Sequence, residues 1–155
     1  MRKPLKKKNK VDPDVKYNSL EISKFINYIM ERGKKNVARK IVYGAFDDIK
    51  EETKQEPMDV FQEAIANASP TVEVRSKRVG GANYQIPREV RPERRSTLAY
   101  RWIIDAAKKK KGSPMRKKLA GELILASKGE GEAVKKKENT HKMADANKAF
   151  AHFGW

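Results

Sequence analysis

Residues 71–92, TVEVRSKRVGGANYQIPREVRP, hold the chain's only period-2 alternation, folded about Gly80-Gly81. Glycine takes up positive φ without steric cost, so a Gly-Gly pair between alternating runs predicts a two-residue primed hairpin turn. With these two glycines as the loop, Val79 faces Ala82. Counting outward, Lys77 meets Tyr84, Arg75 meets Ile86 and Glu73 meets Arg88, all on one face. The other face sets Val72, Val74, Ser76 and Arg78 against Asn83, Gln85 and Pro87. At about 3.3 Å per residue such an arm reaches about 30 Å. A two-stranded ribbon is marginal in water unless something packs on it. Either this one lies flat on a core, or it is a cationic arm reaching for a polyanion. Charge this dense on both faces leaves little to bury, which favours the arm.

The rest of the composition agrees. A chain of 155 residues suits one domain with a modest core. Apolar residues make up 38% and charged residues 36%, with 36 Lys and Arg against 20 Asp and Glu, a net charge of +16. That imbalance repels itself and attracts phosphate. A membrane surface is the rival polyanion, but no apolar run approaches bilayer length, and no basic helix has the Trp- or Leu-rich face that lies in an interface. There is no cysteine, which excludes disulfides, zinc fingers and thiol catalysis and fits a reducing interior. The N-terminal MRKPLKKKNK lacks the apolar core of a secretory signal, and Pro4 and Pro13 argue against an organellar presequence. A cytoplasmic location is expected.

Residues 1–17 read as a basic N-terminal extension. Arg2, Lys3, Lys6, Lys7, Lys8 and Lys10 occur with no acid before Asp12, too much like charge to fold alone but suited to ordering on RNA. Residues 18–155 read as a helical RNA-binding domain with the hairpin at about 71–90. Ile22, Phe25, Ile26, Ile29 and Met30 form a helical stripe behind a candidate N-cap at Ser19, and Gly33 ends it. Ala38, Ile41, Val42, Ala45, Phe46 and Ile49 make a second stripe. Pro57 opens a third helix, bearing Phe61, Ala64, Ile65 and Ala68, which Pro70 closes. After the hairpin, Pro92 leads into a fourth helix with Ala99, Trp102, Ile103 and Ala106 inward and Arg94, Arg101 and Lys108 along a flank. Ser113-Pro114 is read as N-cap and N1 of a fifth helix that buries Leu119, Leu123 and Ile124. From about Glu132 a sixth segment has no strongly apolar residue between Lys135 and Lys142, and Met143, Ala146, Phe150 and Phe153 come only later. Either its first half frays, or Lys135, Lys136, Lys137 and Lys142 meet an external partner; the partner is the expectation here. The fold class is therefore mainly α, a single domain of about six helices with a protruding two-stranded hairpin.

No catalytic, metal or cofactor site is expected. His141 and His152 are too few and too unaccompanied for a metal centre or a nucleophile triad. Asp47-Asp48 and Glu51-Glu52 read as a solvated helix end, and Trp102 as core. An RNA-processing enzyme would need a convergent His, Asp, Glu or Cys set that is not there. An architectural DNA-binding protein is the nearer rival, but such arms often insert an apolar wedge at the tip. Here the tip is Gly80-Gly81-Ala82, and Pro87 lies well back on the strand.

Three stretches carry a family resemblance. They are Ser19–Ala45, with Phe25-Ile26, Gly33-Lys34-Lys35 and Ile41-Val42; Val72–Pro87, with KRVGGANYQIP; and Ala133–Trp155, AVKKKENTHKMADANKAFAHFGW. In that order and spacing, the chain resembles bacterial-type ribosomal protein S7 of the small subunit over nearly its whole length. The resemblance implies a structural protein, not an enzyme, bound to the 3′ major (head) domain of 16S ribosomal RNA, where it helps start head assembly. It implies neighbours as well: ribosomal protein S11, exit-site transfer RNA and the messenger near its exit. The expected RNA-binding set comprises Arg2, Lys3, Lys6, Lys7, Lys8 and Lys10 in the extension, and Lys34, Lys35 and Asn36 in a basic loop. It continues with Arg75, Lys77 and Arg78 on the hairpin and Arg94, Arg95 and Arg101 on the fourth helix. Gly80, Gly81, Ala82, Asn83 and Tyr84 form the tip facing transfer and messenger RNA, and Lys135, Lys136, Lys137 and Lys142 are contacts of the C-terminal helix. Folded ribosomal RNA offers phosphates and a shallow minor groove, so these side chains recognise shape more than sequence. Tyr84 either stacks on an unpaired base or shields Ile86 and the Lys77 stem across the strand.

Overall fold

The computed structural model describes residues 11–153; the basic residues Arg2, Lys3, Lys6, Lys7, Lys8 and Lys10, and the terminal Gly154-Trp155, lie outside the described residues. Each apolar stripe of helical period becomes an α-helix, α1 (Leu20–Ile29), α2 (Lys35–Thr53), α3 (Pro57–Ala68), α4 (Pro92–Lys109) and α5 (Met115–Ser127), and the sixth segment, which lacks such a stripe, forms α6 (Glu132–Ala146). The alternating stretch becomes strands β1 (Val72–Val79) and β2 (Ala82–Glu89), and Lys148–Phe153 forms a 3₁₀ helix. The fold is mainly α with one antiparallel hairpin among the described residues. The chain divides into two compact units, the first ending at Lys40 and the second beginning at Ile41.

In the first unit α1 buries Ile22, Phe25, Ile26 and Ile29. Ser19 occupies the N-cap position in extended conformation, but its side chain makes no capping bond. Asp14, assigned above to the basic N-terminal extension, is buried. Its Oδ2 accepts the backbone N–H groups of Lys16 and Tyr17 at 3.1 and 3.3 Å, while Asn18 N–H donates to the Asp14 carbonyl at 2.8 Å. An aspartate that closes its own turn in this way folds locally, without needing a core. The turn from α1 into α2 passes through Gly33 at φ +74°.

In the second unit the aromatic centre is a run of three rings. Phe46 of α2 lies 5.7 Å from Phe61 of α3, and Phe61 stacks on Tyr100 of α4 at 6.3 Å and 15°. Tyr100, which the apolar count passed over, is 2% exposed. Pro57 sits in the first turn of α3 as expected, and Pro92, read as leading into the fourth helix, itself occupies the first turn of α4, where a missing N–H costs nothing. α5 differs from expectation. Pro114 is the N-cap rather than N1, no side chain caps the helix, and Ile124 is only half-buried. The inward position belongs instead to Glu122, at 0% exposure. Its Oε1 accepts the Ala133 N–H at 3.2 Å, capping the start of α6, and its Oε2 lies 2.7 Å from the Lys110 ammonium.

α6 also departs from expectation. It is helical throughout Glu132–Ala146, burying Ala133, Val134 and Ala144, whereas Met143 is 53% exposed. Its lysine-rich first half does find packing inside the molecule. The Lys136 ammonium lies 5.9 Å from the Trp102 ring centroid, and Lys137 Nζ donates to the Asn67 carbonyl at 2.8 Å, at the end of α3. Long cationic side chains cover apolar surface with their stems and place their charge on a π face or an orphan carbonyl, so an apolar stripe was not required.

Candidate nucleic-acid interface

The hairpin has the register read from its sequence: Val79 opposite Ala82, Lys77 opposite Tyr84, Arg75 opposite Ile86 and Glu73 opposite Arg88. Gly80 and Gly81 stand at φ +59° and +90°, the left-handed region a primed turn requires. Each strand has eight residues, which at about 3.3 Å per residue gives about 26 Å, slightly short of the expected reach. Burial changes along the ribbon. Near the root, Ile86 and Val90 are buried and Val72, Glu73 and Val74 half-buried; beyond them Arg75, Ser76, Lys77, Arg78, Gly80, Gly81, Ala82, Asn83 and Gln85 are exposed. Across the exposed part, Gln85 Nε2 donates to Ser76 Oγ at 2.8 Å. Tyr84 is half-buried because its ring meets Phe150 of the 3₁₀ helix, 5.3 Å away at 55°. That partner comes from the far end of the chain, and neither sequence reading of Tyr84 included it.

The root is where several cations converge. Glu73 Oε1 accepts from Arg75 Nε at 2.6 Å, and its Oε2 accepts from Arg94 Nε, in the first turn of α4, at 2.7 Å. Burial alone would raise the Glu73 pKa, but the Arg94 and Arg75 guanidinium groups bonded to it outweigh that and hold the carboxyl below its ordinary value. Arg75 and Arg94 remain 51% and 44% exposed, whereas the Glu73 side chain is 12% exposed. Around them opens a cleft of about 670 Å³, to which Arg88, Arg91 and Glu89 also contribute. Arg95 serves the fold itself, donating from Nε to the Val90 carbonyl at 2.9 Å where the hairpin returns to α4. Arg101 is exposed on the same helix.

Lys34 and Asn36 are exposed and Lys35 half-buried at the start of α2, in the first unit. No acidic residue occupies that first turn. Cations at the positive end of a helix dipole are unfavourable until an anion joins them. On α6, Lys135 is 3.4 Å from Glu132, Lys136 and Lys137 have the partners given above, and Lys142 is exposed. His141 accepts the Thr71 N–H on Nε2 at 3.1 Å, tying α6 to the start of β1. Among the described residues no group of three or more His, Cys, Asp or Glu side chains is placed to hold a metal ion, and no helix is long and apolar enough to cross a membrane.

Residues 1–148 match the family model described as ribosomal protein S7p/S5e. The chain belongs to that family. Among its relatives, the small ribosomal subunit protein uS7 of Thermotoga maritima is 52% identical over 155 residues, all of both chains. The uS7 protein of Nitrosococcus oceani is 54% identical over 99% of both chains, and that of Francisella tularensis subsp. holarctica 58% identical over 96% of this chain and 95% of its own. The S7p/S5e family is one of structural ribosomal proteins rather than enzymes, and RNA binding is implied by membership. Sequence reasoning singled out Arg75 and Arg94 separately. It missed Glu73 as their common partner, and it left Arg88 and Arg91 outside the binding set. The alternation places Glu73 and Arg75 on one face, but only the path of the chain from β2 into α4, which sets Arg94 in the first turn beside the root, brings in that second arginine.

Proposed function

We propose that this chain is a structural component of the small ribosomal subunit that binds the head domain of 16S ribosomal RNA and helps start assembly of the head. The observation that carries the reading is the hairpin, whose outer part exposes Arg75, Lys77 and Arg78 on a ribbon long enough to cross a groove. Arginine forks bind two phosphate oxygens at once, and lysines act as point charges beside them. Lys34, Lys35 and Asn36 add a second contact at the α2 N-terminus, and Arg94 and Arg101 extend the first along α4. The basic side chains from Arg2 to Lys10 contribute further phosphate contacts from the N-terminal extension. Gly80 to Tyr84 at the tip are assigned to exit-site transfer RNA and the messenger near its exit. The exposed side of α6, with Lys135 and Lys142, is assigned to the neighbourhood of ribosomal protein S11. Family membership and the net charge of +16 support this reading.

The test is competition binding of the full chain to a 16S head-domain fragment and to duplex DNA of equal length at physiological salt. Preference for the RNA fragment by an order of magnitude or more is expected. Equal affinity for the two would refute the reading, because counterion release alone does not distinguish them.

A further inference from the structure

Glu73 is an acid at the root of an arm read as a polyanion-binding device. By charge alone it works against such binding, since a carboxylate beside a phosphate is repulsive and removing it would raise the net charge above +16. Its surroundings suggest another role. The carboxylate receives Arg75 from its own strand and Arg94 from α4, one on each oxygen. Both arginines offer it their Nε side. A guanidinium carries five N–H donors in a rigid plane, so a carboxylate on the Nε side leaves outer donors of the terminal nitrogens on the far side. Both arginines are about half exposed, and both line the cleft shared with Arg88 and Arg91. A long side chain that must be ordered on binding costs affinity, and one already held does not.

We propose that Glu73 is a positioning residue for phosphate recognition: it fixes Arg75 and Arg94 so that their remaining donors jointly receive a phosphodiester in the hairpin-root cleft. This rests on the RNA-binding reading above. The alternative, that Glu73 merely occupies the arginines until phosphate displaces it, predicts the opposite sign for its removal.

The experiment measures affinity of the full chain for the 16S head-domain fragment, with and without Glu73→Gln, in the native background and in an R75Q/R94Q background. Positioning predicts that E73Q weakens binding about tenfold in the native background, the ordering cost of two released arginines, without lowering the salt slope, because both arginines still meet the phosphate once ordered. In the R75Q/R94Q background it predicts no loss. Unchanged or tighter binding by E73Q in the native background would overturn the proposal while leaving the RNA reading intact, as would an equal loss in both backgrounds. An unmutated chain with no preference for the RNA fragment would instead overturn the RNA reading itself. A measurement on the unmutated protein covers the case in which a variant fails to fold. The Arg75 and Arg94 Nε–H resonances should be protected from exchange in the free protein and stay protected in the complex; loss of protection on RNA binding would show displacement and refute positioning.

Discussion

Replacing Glu122 by Ala tests a carboxylate sealed inside the second unit. Glu122 is fully buried, caps α6 through the Ala133 N–H at 3.2 Å, and holds Lys110 at 2.7 Å. Three contributions go with it. Loss of the capping acceptor costs about 0.5–2 kcal/mol. Removing one partner of a fully buried ion pair costs about 3–5 kcal/mol, but the Lys110 side chain is 34% exposed, so water recovers much of that charge. The missing side-chain atoms leave a small void beside Gly131, where an added Cβ would lie 2.9 Å from Glu122 Oε1. The net expectation is about 2–4 kcal/mol for E122A, or a fall in Tm of about 4–16 °C for a chain of this size. Glu122→Gln keeps an acceptor and the shape, so it should cost roughly half as much. Urea unfolding followed by far-UV circular dichroism measures both. Hydrogen exchange should show the first turn of α6 losing protection before α3 or α4. An E122A protein destabilised by less than about 0.5 kcal/mol, the lower end of what capping alone is worth, would refute the reasoning. So would an E122Q protein destabilised as much as E122A, since capping would then contribute nothing.

The double substitution K77A/R78A should leave the helical circular dichroism unchanged and lower the magnitude of the slope of log K against log salt by about one per lost phosphate contact; an unchanged slope in filter binding would remove these side chains from the interface. Glu73 is depressed below its ordinary value of 4.5, so its clip stabilises the fold above that value and the contribution is lost as pH falls through the lower folded pKa. Thermal melts from about pH 6 downward should therefore show an acid-side loss that is smaller in E73Q, and a direct carboxyl titration by NMR should report the lowered midpoint. Gly81→Val places a β-branched side chain at φ +90°, costing on the order of 1–2 kcal/mol locally; the cross-strand Val79–Ala82 contact should weaken by NMR while the rings of Phe46, Phe61 and Tyr100 stay unperturbed.

The local code was legible wherever one periodicity or one turn residue settles the backbone. Gly80-Gly81 sets the loop, and strict alternation then sets every pair down to Glu73 opposite Arg88. Ile22, Phe25, Ile26 and Ile29, or Phe61, Ala64, Ile65 and Ala68, define helical faces because the 3.6-residue spacing leaves no other way to bury them together. What the sequence could not assign was the partner of each charge. Lys137 reaches the Asn67 carbonyl across 70 residues of chain, Lys136 lies over Trp102, Glu122 turns inward to cap α6, and Tyr84 meets Phe150. Flexible cationic and carboxylate side chains carry no period that names a partner, so their pairing is decided by which helix ends and ring faces the packing brings near. The arm and its charge were therefore written into the local sequence, whereas the Glu73 clip that joins Arg75 to Arg94 exists only because the chain's return into α4 sets Arg94 within reach of the hairpin root.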